Sequence, residues 1–363
     1  MTLIGPIKVS YAYYHCKACG TGHSKWAGQV ELIKQELSPA AEQVVALAGL
    51  LTSFREASER VLKVMSGMKV SAATVQRTTE KAGERYCNQL EEGQQEGPKE
   101  QWQWHRDAQG RRCAYVSVDA TAVRQQGPGG KRAEGRMAYV AMVYNPGGKA
   151  QGKRSQVRYV AGLYDLPTLG RLLHEQALQV GWANADKQIA ISDGGAGLEN
   201  FFRTYFPRAE CILDFWHARE HLVQLGQVLY PEDEQKRIGW TEYASGKLKR
   251  EGGRAVRCWL ERMDLSGATA EQKEEHRRQV QYFRNHEHKM DYPRYLANGW
   301  QIGSGPVESA CKTVIGNRLK GGGMRWGERE AHVMCNLRAL FLSEPTCWTT
   351  FWHPPPAQTY LQN

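Results

Sequence analysis

The sequence predicts an α/β chain in which a mixed sheet is interrupted by a helical insertion and preceded by an all-α region. Three observations predict this. The stretch 188–221 runs from a short apolar segment (Ile189, Ala190, Ile191) through Ser192, Asp193 and two glycines into a helix-like run. It then reaches a second apolar segment, Cys211 to Leu213, that ends at Asp214. Ahead of this unit lie three segments of strand character in succession. Behind it, from His217 to Tyr295, comes a block dense in charge and helix formers, followed by a Gly-, Ser- and Pro-bearing entry into a further helix.

Length and charge narrow the class. A chain of 363 residues exceeds the usual single-domain size, so two or three domains are expected. With 48 Lys plus Arg against 38 acids, the formal net charge of +10 favours a polyanionic partner, nucleic acid before membrane. No apolar run reaches the length of a membrane span, and the N-terminus lacks the charged and apolar regions of a secretory leader. The chain is expected to stay in the cytoplasm and to have no membrane partner. Nine scattered cysteines read as reduced thiols rather than as a disulfide framework.

In chain order, residues 1–30 read as one knuckle of a zinc ribbon. Pro6 to Tyr14 alternates like a strand and leads into His15-Cys16-Lys17-Ala18-Cys19-Gly20, where two thiolates on a tight turn supply half of a tetrahedral site. Zinc at Cys16 and Cys19 and a pair of free thiols are the two readings. Residues 38–90 read as helical. Ser38-Pro39 starts a helix with Val44, Val45, Leu47, Ala48, Leu51 and Phe54 on one face. A helix over Ala57 to Met65, a turn at Gly67 and a second helix capped by Ser71, with Ala72, Val75 and Thr79 inward, then have helix-turn-helix spacing. That spacing puts Gln76, Arg77 and Lys81 outward for base edges or phosphates, although a plain helical hairpin has the same pattern.

Residues 91–112 read as a polar linker. The first part of a second domain, 113–216, opens with AYVSVDA (Ala114 to Ala120), followed by strands over Met137–Tyr144 and Arg158–Leu163. A helix over Leu169–Val180 has Leu172, Leu173, Ala177 and Val180 inward. Three strands, then helix, strand, helix, strand, is the order of a ribonuclease H-like domain. If the first and fourth strands are neighbours, Asp119 and Asp193 share a cleft. Two such carboxylates repel one another unless a divalent cation, Mg2+ or Mn2+, neutralises them. The plainer alternative is that Asp193 only caps the helix that follows. Residues 217–299 form the insertion. The C-terminal part of that domain, 300–345, holds Glu308 in the first turn of a helix, where an acid also suits the helix dipole. Lys312, Arg318, Lys320 and Arg325 follow around a Gly321-Gly322-Gly323 loop, cations that a phosphate backbone requires. The tail, 346–363, with three prolines, reads as irregular.

Together VSVDAT, ISDGGAGLENFF, DFWHAREHL and IGSGPVESACKTVIGNRLKGGGMRW resemble the DDE transposases of bacterial insertion sequences, most closely the ISKra type, over nearly the whole chain. The resemblance implies Asp119, Asp193 and Glu308 as the metal-binding catalytic triad, and Asp214 with His217 as the C/D-x-x-H signature shared with Mutator-like transposases. It also implies terminal inverted repeats and target DNA as partners, a homo-oligomer on the DNA, and work on the nucleoid. Relatives carry a further Cys-x-x-Cys upstream, so this chain is expected to begin partway through the zinc ribbon. Two other readings compete. One is a catalytically silent DNA-binding remnant. The other is an H-x-x-E-H zinc metalloprotease on His217, Glu220 and His221, which leaves the three acids unexplained.

Overall fold

The computed structural model describes residues 1–3, 12–23, 37–94, 97, 99–146 and 156–354. Two short strands, β1 (Tyr14–His15) and β2 (Gly22–His23), pair antiparallel around the Cys16 to Gly20 turn. Most of the strand expected over 6–14 falls outside the described residues, as do 24–30 of the first segment and 355–363 of the tail.

Helix α1 (Pro39–Leu51) starts where Ser38 Oγ accepts from the Ala41 N–H at 3.3 Å. It is buried on two sides. Ala41, Val45 and Ala48 join a small helical core, while Ala46 and Leu50 join the main one. The buried arc therefore turns away from Leu51, which the spacing predicts inward but which is 49 % exposed. Next, α2 (Phe54–Glu56) runs on as π-helical turns over Ala57–Met65. Gly67, with φ +69°, makes the turn that follows, a conformation that costs glycine little. Helix α3 (Ala72–Glu91) is capped by Ser71, whose Oγ accepts from the Thr74 N–H at 3.1 Å, and it buries Val75 and Thr79 as the spacing predicts. Polar residues then run toward the sheet. The last part of the expected linker is ordered: Trp102 and Trp104 are buried, and β3 (His105–Arg106) pairs with the next strand, because two indoles have sheet surface to cover.

The sheet is mixed. Strand β4 (Arg112–Val123) pairs antiparallel with β5 (Arg136–Asn145), which pairs antiparallel with β6 (Gln156–Gly162). Helix α4 (Leu166–Gln179), capped by Asp165, crosses to β7 (Lys187–Ser192), which lies parallel to β4. Helix α5 (Leu198–Tyr205) crosses to β8 (Ala209–Leu213), parallel to β7. The order across the sheet is β6-β5-β4-β7-β8, with β3 on β4. Every residue from Cys113 to Val118 is buried, so helices cover both faces of β4.

The insertion packs α6 (Phe215–Leu229), α7 (Glu234–Leu260) and α8 (Ala270–His286) against one another. Gly252, at φ +83°, kinks α7. Helix α9 (Tyr292–Ala297) leads back to the sheet, where α10 (Gly305–Ala310) passes through π-helical turns, Cys311–Gly316, into α11 (Asn317–Leu319). Helix α12 (Glu328–Leu342) packs on β6 and α3. The tail departs from expectation, since α13 (Pro345–Trp352) is a helix. It is held because Trp348 and Phe351 are buried and the Arg85 guanidinium lies 4.2 Å from the Phe351 ring centre.

Candidate active site

Strand register sets the site. Ser117 pairs with Ile191 and Ser192 with Leu213, so two residues beyond the first pair and one beyond the second, Asp119, Asp193 and Asp214 come level across three adjacent parallel strands, Asp119 within β4 and the other two just past the ends of β7 and β8. Each acid is held differently. Asp119 Oδ1 accepts from the Ala120 N–H at 2.7 Å, and the Cys311 thiol bonds to the same carboxylate. Asp193 Oδ1 accepts from the Gly195 N–H at 2.8 Å, across a turn that Gly194 makes at φ +81°. Asp214 is 2 % exposed and caps α6, accepting from the Trp216 and His217 N–H groups at 3.2 Å each. Glu308 arrives from α10, exposed, with Oε1 accepting from Ser304 Oγ at 2.6 Å.

These groups meet. A cleft of about 250 Å³ is lined by Asp119, Asp193, Asp214, His217, Glu220 and Glu308, with Ser304 and three apolar side chains completing the wall. Among the described residues, no lysine or arginine lines it. Burial, joined by the charges of Asp193 and Glu308, raises the Asp119 carboxyl above its ordinary value, against the opposing Ala120 N–H and Cys311 thiol. From the insertion, Tyr282 on α8 feels the charges of Asp193, Asp214 and Glu220 on top of its own burial, which pushes its phenol up.

The donor chemistry suits a hard divalent cation. Oxygen ligands surround a cleft without a protein cation, and magnesium takes one or two carboxylates while water or substrate phosphate supplies the rest. Among the described residues no group of three or more His, Cys, Asp or Glu side chains is placed to hold a metal ion as they stand. The carboxylates that line the cleft are of the type a hard cation takes, but their positions do not form a preformed site.

The expected DNA-contact residues are dispersed. Gln76, Arg77 and Lys81 are exposed on α3, with Gln76 bonded to Glu80 at 2.9 Å and Lys81 3.9 Å from Glu42. Lys312 and Lys320 are exposed, and Lys320 Nζ donates to Thr121 Oγ1, two residues from Asp119. Arg325 is half-buried beside a second cavity between α3 and the 324–327 loop. Arg318 is a correction. It is 2 % exposed, lies between the rings of Phe54 and Trp326, and donates from Nε to the Gly49 carbonyl at 2.9 Å, so it offers no donor to a phosphate at the surface.

Cys16 and Cys19 are exposed on the β1–β2 hairpin, closed by the Gly20 N–H on the Cys16 carbonyl at 2.9 Å. The Thr21 hydroxyl and backbone lower the Cys19 thiol to about 7, which makes a thiolate accessible near neutral pH. No further metal-ligating group joins them among the described residues. The H-x-x-E-H pair does not gather as a metal site either. His221 is stacked on Tyr282 with ring centres 3.5 Å apart, and its Nδ1 lies 2.9 Å from Gln279 Oε1. Ser304 and Cys311 escaped the sequence reading. Ser304 lies four residues before Glu308, a spacing that puts two side chains of one turn within reach, and that was the available signal. No protein-family model matches this chain, and no curated protein matches it.

Proposed function

We propose that this chain is a DDE transposase of the ISKra type, built on a ribonuclease H-like catalytic sheet. It cleaves the ends of an insertion sequence and joins them to target DNA. The observation that carries this reading is the convergence of Asp119, Asp193 and Glu308 on one cleft, from segments that lie on both sides of the helical insertion. The strand order β6-β5-β4-β7-β8, three antiparallel strands followed by two parallel ones, supports the fold assignment.

In this reading the three acids hold Mg2+ or Mn2+, which when bound polarises the scissile phosphate and lowers the pKa of an attacking water. The remaining work falls to the chain's own groups. Lys320, tied to Thr121 on the acid-bearing strand, gives a cation to a phosphate oxygen. His217, on the cleft wall, orients the scissile strand. Water and then the DNA 3′-hydroxyl attack in turn, so the protein forms no covalent intermediate. Gln76, Arg77 and Lys81 on α3 read the terminal inverted repeats. Two element ends must be held together, which calls for a homo-oligomer on the nucleoid. Cys16 and Cys19 stand either as half of a structural zinc site or as a pair of free thiols.

The test is cleavage and joining of a labelled duplex carrying the terminal repeat read from the DNA flanking the gene, with Mg2+ or Mn2+. Nicking at the repeat boundary, abolished by Asp119→Asn and by Glu308→Gln, is the expected result. DNA that is bound but never cut, even with Mn2+, would make the chain a silent DNA-binding remnant instead.

A further inference from the structure

Glu308 is joined to the end of β8 by a chain of hydrogen bonds. Asp214 Oδ1 accepts not only from its own helix but also from the Ser304 N–H, at 3.2 Å, and Ser304 Oγ in turn donates to Glu308 Oε1 at 2.6 Å. One residue on, the Phe215 N–H donates to the Ile302 carbonyl at 2.9 Å. The segment 302–304 is thus pinned twice to the start of α6. Asp214 and Ser304 are 2 % and 3 % exposed, which shields the bond between them, whereas the bond from Ser304 to Glu308 is part-buried and ends on an exposed carboxylate.

Two details separate this arrangement from ordinary helix capping. Ser304 stands immediately before α10, where a serine hydroxyl normally accepts from a backbone N–H, yet it makes no such cap bond and gives its proton to a carboxylate. Asp214, although it lines the acidic cleft, accepts three backbone N–H groups, from Trp216, His217 and Ser304. Its oxygens are committed to positioning the backbone, and it is poorly placed to serve as a fourth ligand.

We propose that Asp214 and Ser304 form a positioning relay that fixes the Glu308 carboxylate for the divalent cation, an inference that rests on the reading of Glu308 as a metal ligand. The aspartate of the D-x-x-H pair then serves the third acid of the triad, reaching it across the cleft through one serine. Outer hydrogen-bond partners of ligating carboxylates fix their orientation, and losing one typically weakens metal binding by about tenfold or more.

The test uses the full chain without DNA. Free Mn2+ is counted by its electron paramagnetic resonance signal during titration of the wild type, Ser304→Ala, Ser304→Thr, Glu308→Gln and the Ser304→Ala/Glu308→Gln double variant. Ser304 is chosen over Asp214 because removing a buried helix cap risks unfolding. The relay predicts that Ser304→Ala weakens Mn2+ binding about tenfold, that Ser304→Thr, which keeps the hydroxyl, restores it, and that Ser304→Ala adds nothing once Glu308 is glutamine. Binding within about twofold of wild type in Ser304→Ala, or an equal loss in the Glu308→Gln background, overturns the relay while leaving the triad standing. Wild-type binding in Glu308→Gln itself removes Glu308 from the metal site, and both readings fall together.

Discussion

At Asp119, stability and the proposed metal-binding role pull in opposite directions. Its carboxyl is raised by burial and by the charges of Asp193 and Glu308. For an acid raised on folding, the contribution to stability is present below the unfolded value, about 3.9, and is lost as pH rises through the folded one. At neutral pH the ionised group therefore works against the fold. Asp119→Asn should melt at a higher temperature than the wild type at pH 7 without divalent metal, and the gap should narrow as pH falls toward 4. Added Mn2+ should stabilise the wild type more than the variant, since only a ligand that binds the folded site shifts its melting. Differential scanning calorimetry across that pH range measures both effects, and a variant less stable than wild type at pH 7 would contradict the electrostatic account. Asp107 behaves in the opposite way. Burial would raise it, but the Arg111 side chain and N–H, the Trp300 indole and the Gln109 N–H together hold it at about 2. Its contribution is present above the unfolded value and lost as pH falls from about 4 to about 2. Asp107→Asn should flatten the acid limb of the stability curve over that window, read by urea unfolding at successive pH values.

The elements most legible in the sequence were those whose periodicity and punctuation agree. The strand over AYVSVDA and the helix over 169–180 were readable from apolar spacing, and the second helix after Ser71 because spacing and a capping residue point the same way. Asp193 stands where an apolar run meets a turn, as its sequence suggests, whereas Asp119 lies inside β4, which runs on to Val123. What was hidden is whatever depends on neighbours distant in sequence. The tail, 346–363, reads as irregular because of the three prolines at 354–356, yet as far as Trp352 it is helical, where Arg85 and the core give its rings a surface to cover. Arg318 looked like a DNA-binding residue because it sits among cations beside a glycine loop. Its real partner lies 269 positions away at the end of α1. There Arg318 donates to Gly49 and Arg338 to Leu50, two buried guanidinium groups on the carbonyls of a helix C-terminus. Arg318→Ala should cost about 3 kcal/mol by urea denaturation, through the void left between two rings and an unpaired carbonyl. Lys312→Ala, at the surface, should stay within about 0.5 kcal/mol. If the two cost the same, the buried bonds contribute nothing net.

Over the whole molecule, the basic balance splits into two populations with different jobs. Arg158, Arg318 and Arg338 are buried and bonded inside the fold, so they count toward the net charge of +10 but meet no partner at the surface. The exposed cations expected at a phosphate backbone lie in two groups, Arg77 and Lys81 on α3 and Lys312 and Lys320 near the acids. A duplex held by both groups should show strongly salt-dependent affinity, because each neutralised phosphate releases condensed counterions. Removing Arg77 and Lys81 together should lower the slope of log affinity against log salt by about 2, since two phosphates are then left without a cation. Lys312→Ala and Lys320→Ala should each lower it by about 1. The two groups then separate on sequence dependence. If α3 reads the repeat, its variants lose discrimination between the repeat and an unrelated duplex, whereas Lys312 and Lys320 variants weaken both duplexes alike. Fluorescence anisotropy at a series of salt concentrations distinguishes these outcomes, and an unchanged slope in the α3 double variant would remove that helix from the DNA interface.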